Sequence, residues 1–412
     1  MKYNTDKLDL SSVQSRSERL KPEREKSKRV YFPGLNSLRF IAASVVIVHH
    51  VEQIKSLFGY QNYFDNIFVH NIGGYGVTFF FALSGFLITY LLLVEQARTR
   101  TISIKSFYIR RTLRIWPLYY LLGILSLAIL PHVSALNIPV WQDELADNYF
   151  TQAILYITFL PNLALSFFGT IPHANQVWSV GVEEQFYLIW PLVVKYSRSI
   201  WHAILKVMGI YLVIKSTLIA MRLMSDGISG IAHLNRWSQF VEFSRIDCMA
   251  IGALGAAVLY YYPQTLRPFY RLTSQYLLYA LTLLFLIYGG VTGGILWHFN
   301  QEIFAILSTA IVLNIATNRQ SIFKLQNQSF DYLGRISYGL YMYHCLCIAI
   351  AFYLVDRFST YSLSGFAGNA IVYPLSIIIT ILVSAASYHW LEKPFIRYKH
   401  KFVRVASGDR PS

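Results

Sequence analysis

Apolar runs too long and too poorly charged to face water constrain this chain more than anything else in it. Ile41 runs through Val48 and on to Phe58, Val77 runs to Val94, and Leu277 to Ile287 extends into apolar flanks. About 18 apolar residues are enough for a helix to cross the hydrocarbon core of a bilayer. Only 14% of the 412 residues are charged and 55% are hydrophobic, whereas a soluble domain carries roughly 25% charged residues. The expected fold class is all-α: a polytopic integral membrane helical bundle of about ten transmembrane helices, with one re-entrant or short extra segment.

The spans are expected near 37–57, 75–94, 114–131, 183–198, 202–222, 245–262, 275–291, 301–317, 334–355 and 369–391. Segment 150–168 is apolar but short and interrupted by Pro161 and Asn162, so it reads either as a span or as a re-entrant hairpin. Loop charge favours the hairpin. With ten spans and both termini inside, the basic clusters around Arg98–Arg114, Lys195–Arg198, Arg267–Arg271, Arg319–Lys324 and Arg397–Arg404 fall on the cytoplasmic side, and Asp143, Glu144 and Asp147 fall outside. The division that follows is a polar, basic cytoplasmic tail at 1–33, a membrane domain at 34–396 and a basic cytoplasmic tail at 397–412. The first 33 residues lack an apolar stretch, which predicts no cleaved signal peptide and gives the first helix the targeting role. No internal sequence repeat is visible.

The formal net charge is +15. In a soluble protein that would suggest nucleic acid. Here the positive charge sits in tails and short loops, as membrane orientation requires, and no nucleic-acid partner is expected. The three cysteines, Cys248, Cys345 and Cys347, lie in apolar segments. Their number and spacing suit neither a disulfide framework nor a zinc site, and no metal is expected.

Ionisable groups inside spans are costly and by default functional. Arg39 stands near the start of the first span and His50 eleven residues later, about 16 Å along the axis and close to three full turns, so the two share a face. Against this stand two plainer readings: Arg39 snorkelling to headgroups and His50 making an interhelical hydrogen bond. Ser84-Gly85 in the Phe-rich second span reads first as helix packing. Arg111 and Arg114 share a face at i,i+3 and suit a bidentate phosphate clamp or an ordinary positive-inside cluster. Glu183 and Glu184 open another span, where the helix dipole offsets part of their cost. Arg245 and Asp247 head a further one, with an ion pair as the simplest role.

In this order and spacing, the segments from about Gly34 to Pro394 resemble the acyltransferase-3 family of membrane acyltransferases, which modify bacterial surface glycans. The family's Arg and the His eleven residues on match Arg39 and His50. Its Phe-Phe-x-x-Ser-Gly-Phe matches Phe80 to Phe86, with Ser84 inside it. Its Arg-x-x-Arg before Pro-x-Tyr matches Arg111, Arg114, Pro117 and Tyr119. Its Trp-Ser-x-x-x-Glu-x-x-Phe-Tyr matches Trp178, Ser179, Glu183, Phe186 and Tyr187. Arg245 with Asp247, Ser337 to His344, and Glu392 with Pro394 match the remaining motifs. One position departs: many members place an acid three residues after the helix-one His, where this chain has Gln53. The nearby acid is Glu52, leaving open which imidazole, His49 or His50, it orients.

The resemblance implies transfer of an acyl group, acetyl by expectation, from acyl-CoA (acetyl-CoA) to a hydroxyl of a cell-envelope glycan, at the inner membrane and with no bound cofactor. It assigns catalysis to His50, Glu52 and Glu183. It assigns donor and substrate binding to Arg39, Ser84, Arg111, Arg114, Trp178, Tyr187, Asp247 and His344. The competing class is a transporter of a glycan or acyl precursor without covalent chemistry, in which the same polar groups would mark a pathway.

Overall fold

A computed structural model describes residues 30–224, 231–289, 295–358 and 365–405. Residues 1–29, most of the first expected tail, and 406–412, the end of the second, lie outside the described residues. The described chain is helical throughout, with no strand, as hydrocarbon demands of backbone amides that must be satisfied within each segment.

Each of the ten expected spans coincides with a helix. In chain order these begin with α1 (Leu35–Leu57), α2 (Ile67–Thr99) and α3 (Ile104–Ile124). After the short α4 (Trp141–Ile157) and α5 (Pro161–Phe168) come α6 (Val177–Tyr196), α7 (Ile200–Met224), α8 (Ile231–Ser244) and α9 (Ile246–Tyr261). The chain ends with α10 (Leu272–Tyr288), α11 (Asn300–Thr317), α12 (Gln328–Arg335), α13 (Ser337–Phe358), α14 (Phe366–Ser387) and α15 (Lys393–Lys399).

By length and composition, eight helical stretches among the described residues are apolar enough to cross a membrane, or up to nine if the bent pair ending in α10 is one span. That pair bends by 80° after Pro263–Tyr270. The expected span on α6 is not among them; its first half carries Glu183, Glu184 and Gln185.

Segment 150–168 folds back on itself. Phe159 adopts a positive φ of 59° between α4 and α5. The Gln152 amide donates to the Phe168 carbonyl at 2.7 Å, and the Glu144 carboxylate accepts from the Thr170 amide at 2.7 Å. Residues 144 and 170 therefore sit side by side, at the two ends of a hairpin.

Helix α2 is the axis of the bundle. Its 33 residues give about 50 Å of length, more than a hydrocarbon core of about 30 Å. It packs on α1, α6, α9 and α11. The crossing with α9 is tight because each helix offers a glycine to the other's backbone. A Cβ on Gly85 would lie 1.9 Å from the Met249 carbonyl oxygen, and one on Gly252 equally close, 1.9 Å, to that of Ala82. Between helices already surrounded by lipid, such close van der Waals approach replaces the hydrophobic drive of a water-soluble core. The packing role read for Gly85 is thus visible in the fold, and it holds the adjacent Ser84 in a fixed place.

Candidate active site

The crossing of α1, α2, α3 and α6 leaves a cavity of about 520 Å³, within the range of roughly 300–1,000 Å³ for small-molecule sites. Four motifs far apart in the chain converge on its wall: Arg39 from α1, Ser84 from α2, Arg111 and Arg114 from α3, and Glu183 and Tyr187 from α6. Arg110, Glu95 and Lys399 also line it, so five cations face two carboxylates.

Both carboxylates are already engaged. Glu95 pairs with Arg110 at 3.4 Å and accepts from the Ser103 amide at 2.9 Å. Glu183 accepts from the Ser84 hydroxyl at 2.7 Å and from the Tyr187 hydroxyl at 3.0 Å. The i,i+4 spacing of Glu183 and Tyr187 puts both on one face of α6. The cations are less committed. Arg111 lies over the rings of Phe107 and Tyr187 at 5.6 and 5.3 Å, which orients the guanidinium through a cation–π contact and leaves its donors for a ligand. Among the described residues Arg39 reaches Asn36, at 3.5 Å. Neighbouring Glu184 does not line the cavity; it accepts from the Trp116 indole at 3.0 Å.

His50 lies deeper along α1 and pairs with His344 of α13. His344 Nδ1 stands 2.6 Å from the Tyr341 carbonyl oxygen, and its Nε2 stands 3.2 Å from His50 Nδ1. His50 Nδ1 is also 3.0 Å from the Val46 carbonyl. A carbonyl only accepts, so His344 Nδ1 carries the hydrogen and its Nε2 offers a lone pair. His50 Nδ1 faces two acceptors and must donate. In neutral His50 this leaves Nε2 as the basic nitrogen, the tautomer a general base needs. His50 keeps 8% of its surface and His344 none, so within the pair only His50 retains contact with anything outside the protein.

Tyr341 joins the two regions. It lines the cavity, its ring is 5.7 Å from that of His344, and its hydroxyl bonds Ser179 at 2.7 Å and the Gln176 carbonyl at 3.0 Å. Neither histidine is on the cavity wall. His50, His344 and Cys345 also hold three ligand atoms within 4.8 Å of one another, a group that sequence spacing did not flag. The hydrogen bonds above engage both nitrogens of His344 and Nδ1 of His50, and leave His50 Nε2 to a ligand.

Other expected site residues are placed elsewhere. Glu52 is brought to neither imidazole: it pairs with Lys55 at 2.9 Å and accepts from the Tyr63 amide and the Tyr373 hydroxyl. His49 instead bonds the Val69 carbonyl at 2.9 Å. The Trp178 ring packs under Arg245 at 5.4 Å, and Arg245 donates to the Gly74 carbonyl at 2.8 Å and the Thr78 hydroxyl at 3.0 Å. Asp247 accepts from the Cys248 amide at 2.9 Å. Arg245 and Asp247 form no ion pair among the described residues. Lys399 and Glu95 were missed as wall residues. Their sequence signal, a charge beside a predicted span, is shared by every loop charge in the chain.

No solved structure matches this chain. O-acetyltransferase OatA of Staphylococcus aureus strain NCTC 8325 / PS 47 is 26% identical to it over 385 residues, which cover 88% of this chain and 57% of that protein. OatA of strain COL aligns with the same identity and coverage, 26%, 88% and 57%. The chain thus spans somewhat over half the length of the curated relatives it matches. Residues 32–389 match the family described as Acyltransferase domain, which is most of the chain and includes each cavity arginine, Glu183 and both paired histidines; the chain belongs to that acyltransferase family.

Proposed function

We propose that this multi-pass membrane protein transfers an acetyl group from acetyl-CoA to a hydroxyl of a cell-envelope glycan, with the donor entering from the cytoplasm. The observation that carries this reading is the convergence of Arg39, Arg111 and Arg114 on one cavity whose carboxylates are already engaged. An unbalanced guanidinium cluster suits the phosphates of a CoA nucleotide. The basic loops beside it support a cavity mouth at the cytoplasmic face. The relatives' printed name, O-acetyltransferase, agrees with acetyl as the group moved.

The chemistry follows from the histidine tautomer. His50 Nε2 takes the proton of the acceptor hydroxyl as its oxygen attacks the thioester carbonyl. The tetrahedral intermediate collapses, the carbon–sulfur bond breaks, and the leaving thiolate takes that proton from His50 Nε2, which returns to its neutral form. The products are an O-acetyl ester and CoA. His344 holds the His50 ring by accepting from Nδ1–H. Arg39 and the Arg111/Arg114 pair keep the nucleotide at the cytoplasmic end, and the pantetheine arm carries the thioester along α1 toward His50, past Tyr341. Calorimetry on protein in lipid nanodiscs tests the donor site: CoA binds wild type, and Ala at both Arg111 and Arg114 abolishes that binding. Undiminished affinity in the double variant removes the arginines from this role.

A further inference from the structure

We propose that the C-terminal segment from Lys393 to Val405 completes the donor site, with the Lys399 ammonium acting as a ligand for a CoA phosphate. The inference rests on the donor reading above and extends it to a segment that sequence marks only as a charged tail.

Three observations support it. Lys399, Val403 and Val405 lie on the wall of the same cavity as the arginines. The segment is tied down there: α15 packs on α3, and the Arg110 guanidinium donates to the Phe402 carbonyl at 2.9 Å. Lys399 is also surrounded by its own sign of charge. Arg114, Arg111, Arg110 and Arg39 are the groups whose fields act on it, and it makes no hydrogen bond or ion pair among the described residues.

A lysine has a flexible four-carbon stem and a strongly hydrated head. One repelled by four guanidinium groups would relax by turning into water, as its neighbour Lys401 does: that residue is exposed and lies over the Tyr398 ring at 4.8 Å. Lys399 instead stays half-buried in the cavity wall. An anion in the cavity converts this repulsion into attraction, and a nucleotide with a pyrophosphate and a separate ribose phosphate offers several anionic groups. Lys399 contributes three rotatable donors where the guanidinium forks are planar, so the two cation types suit different faces of one polyphosphate.

The test measures CoA affinity by calorimetry in nanodiscs of zwitterionic lipid. Lys399→Ala weakens CoA binding about tenfold and flattens its salt dependence, Lys399→Arg restores most of the affinity, and Lys401→Ala leaves it unchanged. Equal CoA affinity in wild type and Lys399→Ala overturns the inference while leaving the donor site standing. A loss seen only in nanodiscs with anionic lipid also overturns it, because Lys399 would then hold a lipid headgroup. A wild-type protein that binds no CoA overturns both readings. Size-exclusion profiles matching wild type establish that each variant is folded.

Discussion

The two ends of α1 carry the same kinds of side chain and use them in opposite ways. At its start, Arg39 faces a cavity in which cations outnumber carboxylates. At its end, Glu52 and Lys55 neutralise each other at 2.9 Å with almost no exposure, and Tyr63 and Tyr373 complete the carboxylate's partners. A similar closed pair, Lys215 with Glu302, joins α7 to α11. Charges that the fold balances internally hold helices together. Charges left unbalanced around an open volume suit a ligand of opposite sign. His50 lies between the two ends, with one nitrogen held by the fold and the other free.

That contrast can be broken at several points. The largest effect is expected at His50, which belongs to neither charge set. His50→Ala lowers transfer by roughly 10²–10⁴-fold, the usual share of a general base, while CoA affinity measured by calorimetry stays at the wild-type value. His49→Ala serves as the control with a smaller loss.

Next is the open cluster. Lysine at both Arg111 and Arg114 keeps the charge but not the planar fork, and CoA affinity falls about tenfold or more. Full rescue by lysine would show that charge alone suffices there.

The closed end responds differently. Glu52→Gln strands Lys55, and breaking a buried pair from one side costs about 3–5 kcal/mol of stability. Thermal unfolding in detergent moves down, but the folded fraction transfers and binds CoA as wild type does. A variant of full stability that cannot transfer would return Glu52 to the catalytic machinery.

The smallest predicted effect distinguishes positioning from packing at His344. His344→Ala lowers kcat with little change in KM for acetyl-CoA. His344→Gln, whose side-chain oxygen also accepts a hydrogen bond from His50 Nδ1–H, recovers part of it. Equal losses in both variants would reduce His344 to a packing residue.

Much of this was legible in the chain itself. Apolar runs put a helix at each of the ten expected spans, although α6 is not among the stretches apolar enough to cross a membrane, and loop charge favoured the hairpin at 150–168. The motif order brought Arg39, Ser84, Arg111, Arg114, Glu183 and Tyr187 into consideration together, and they share one cavity. What stayed hidden depends on contacts across large sequence separations. Nothing local to Glu52 announces Tyr373, 321 residues away. Trp178 and Asp247 stand in the same motifs as cavity or near-cavity residues, yet their rings and carboxylates turn toward α8 and α9 instead. Lys399 looked like one more tail charge because hydropathy does not tell a solvated lysine from one folded back against arginines.

The most direct test reconstitutes the protein in liposomes. Acetyl-CoA labelled in the acetyl group is supplied on the side of the termini, and envelope glycan from a deletion strain, stripped of its O-acetyl groups, on the other. The account predicts labelled, base-labile ester on the glycan, CoA retained where it was added, and loss of the label with His50→Ala. Intact acetyl-CoA crossing to the glycan side, with the glycan unmodified, would contradict it and make the polar groups a transport pathway.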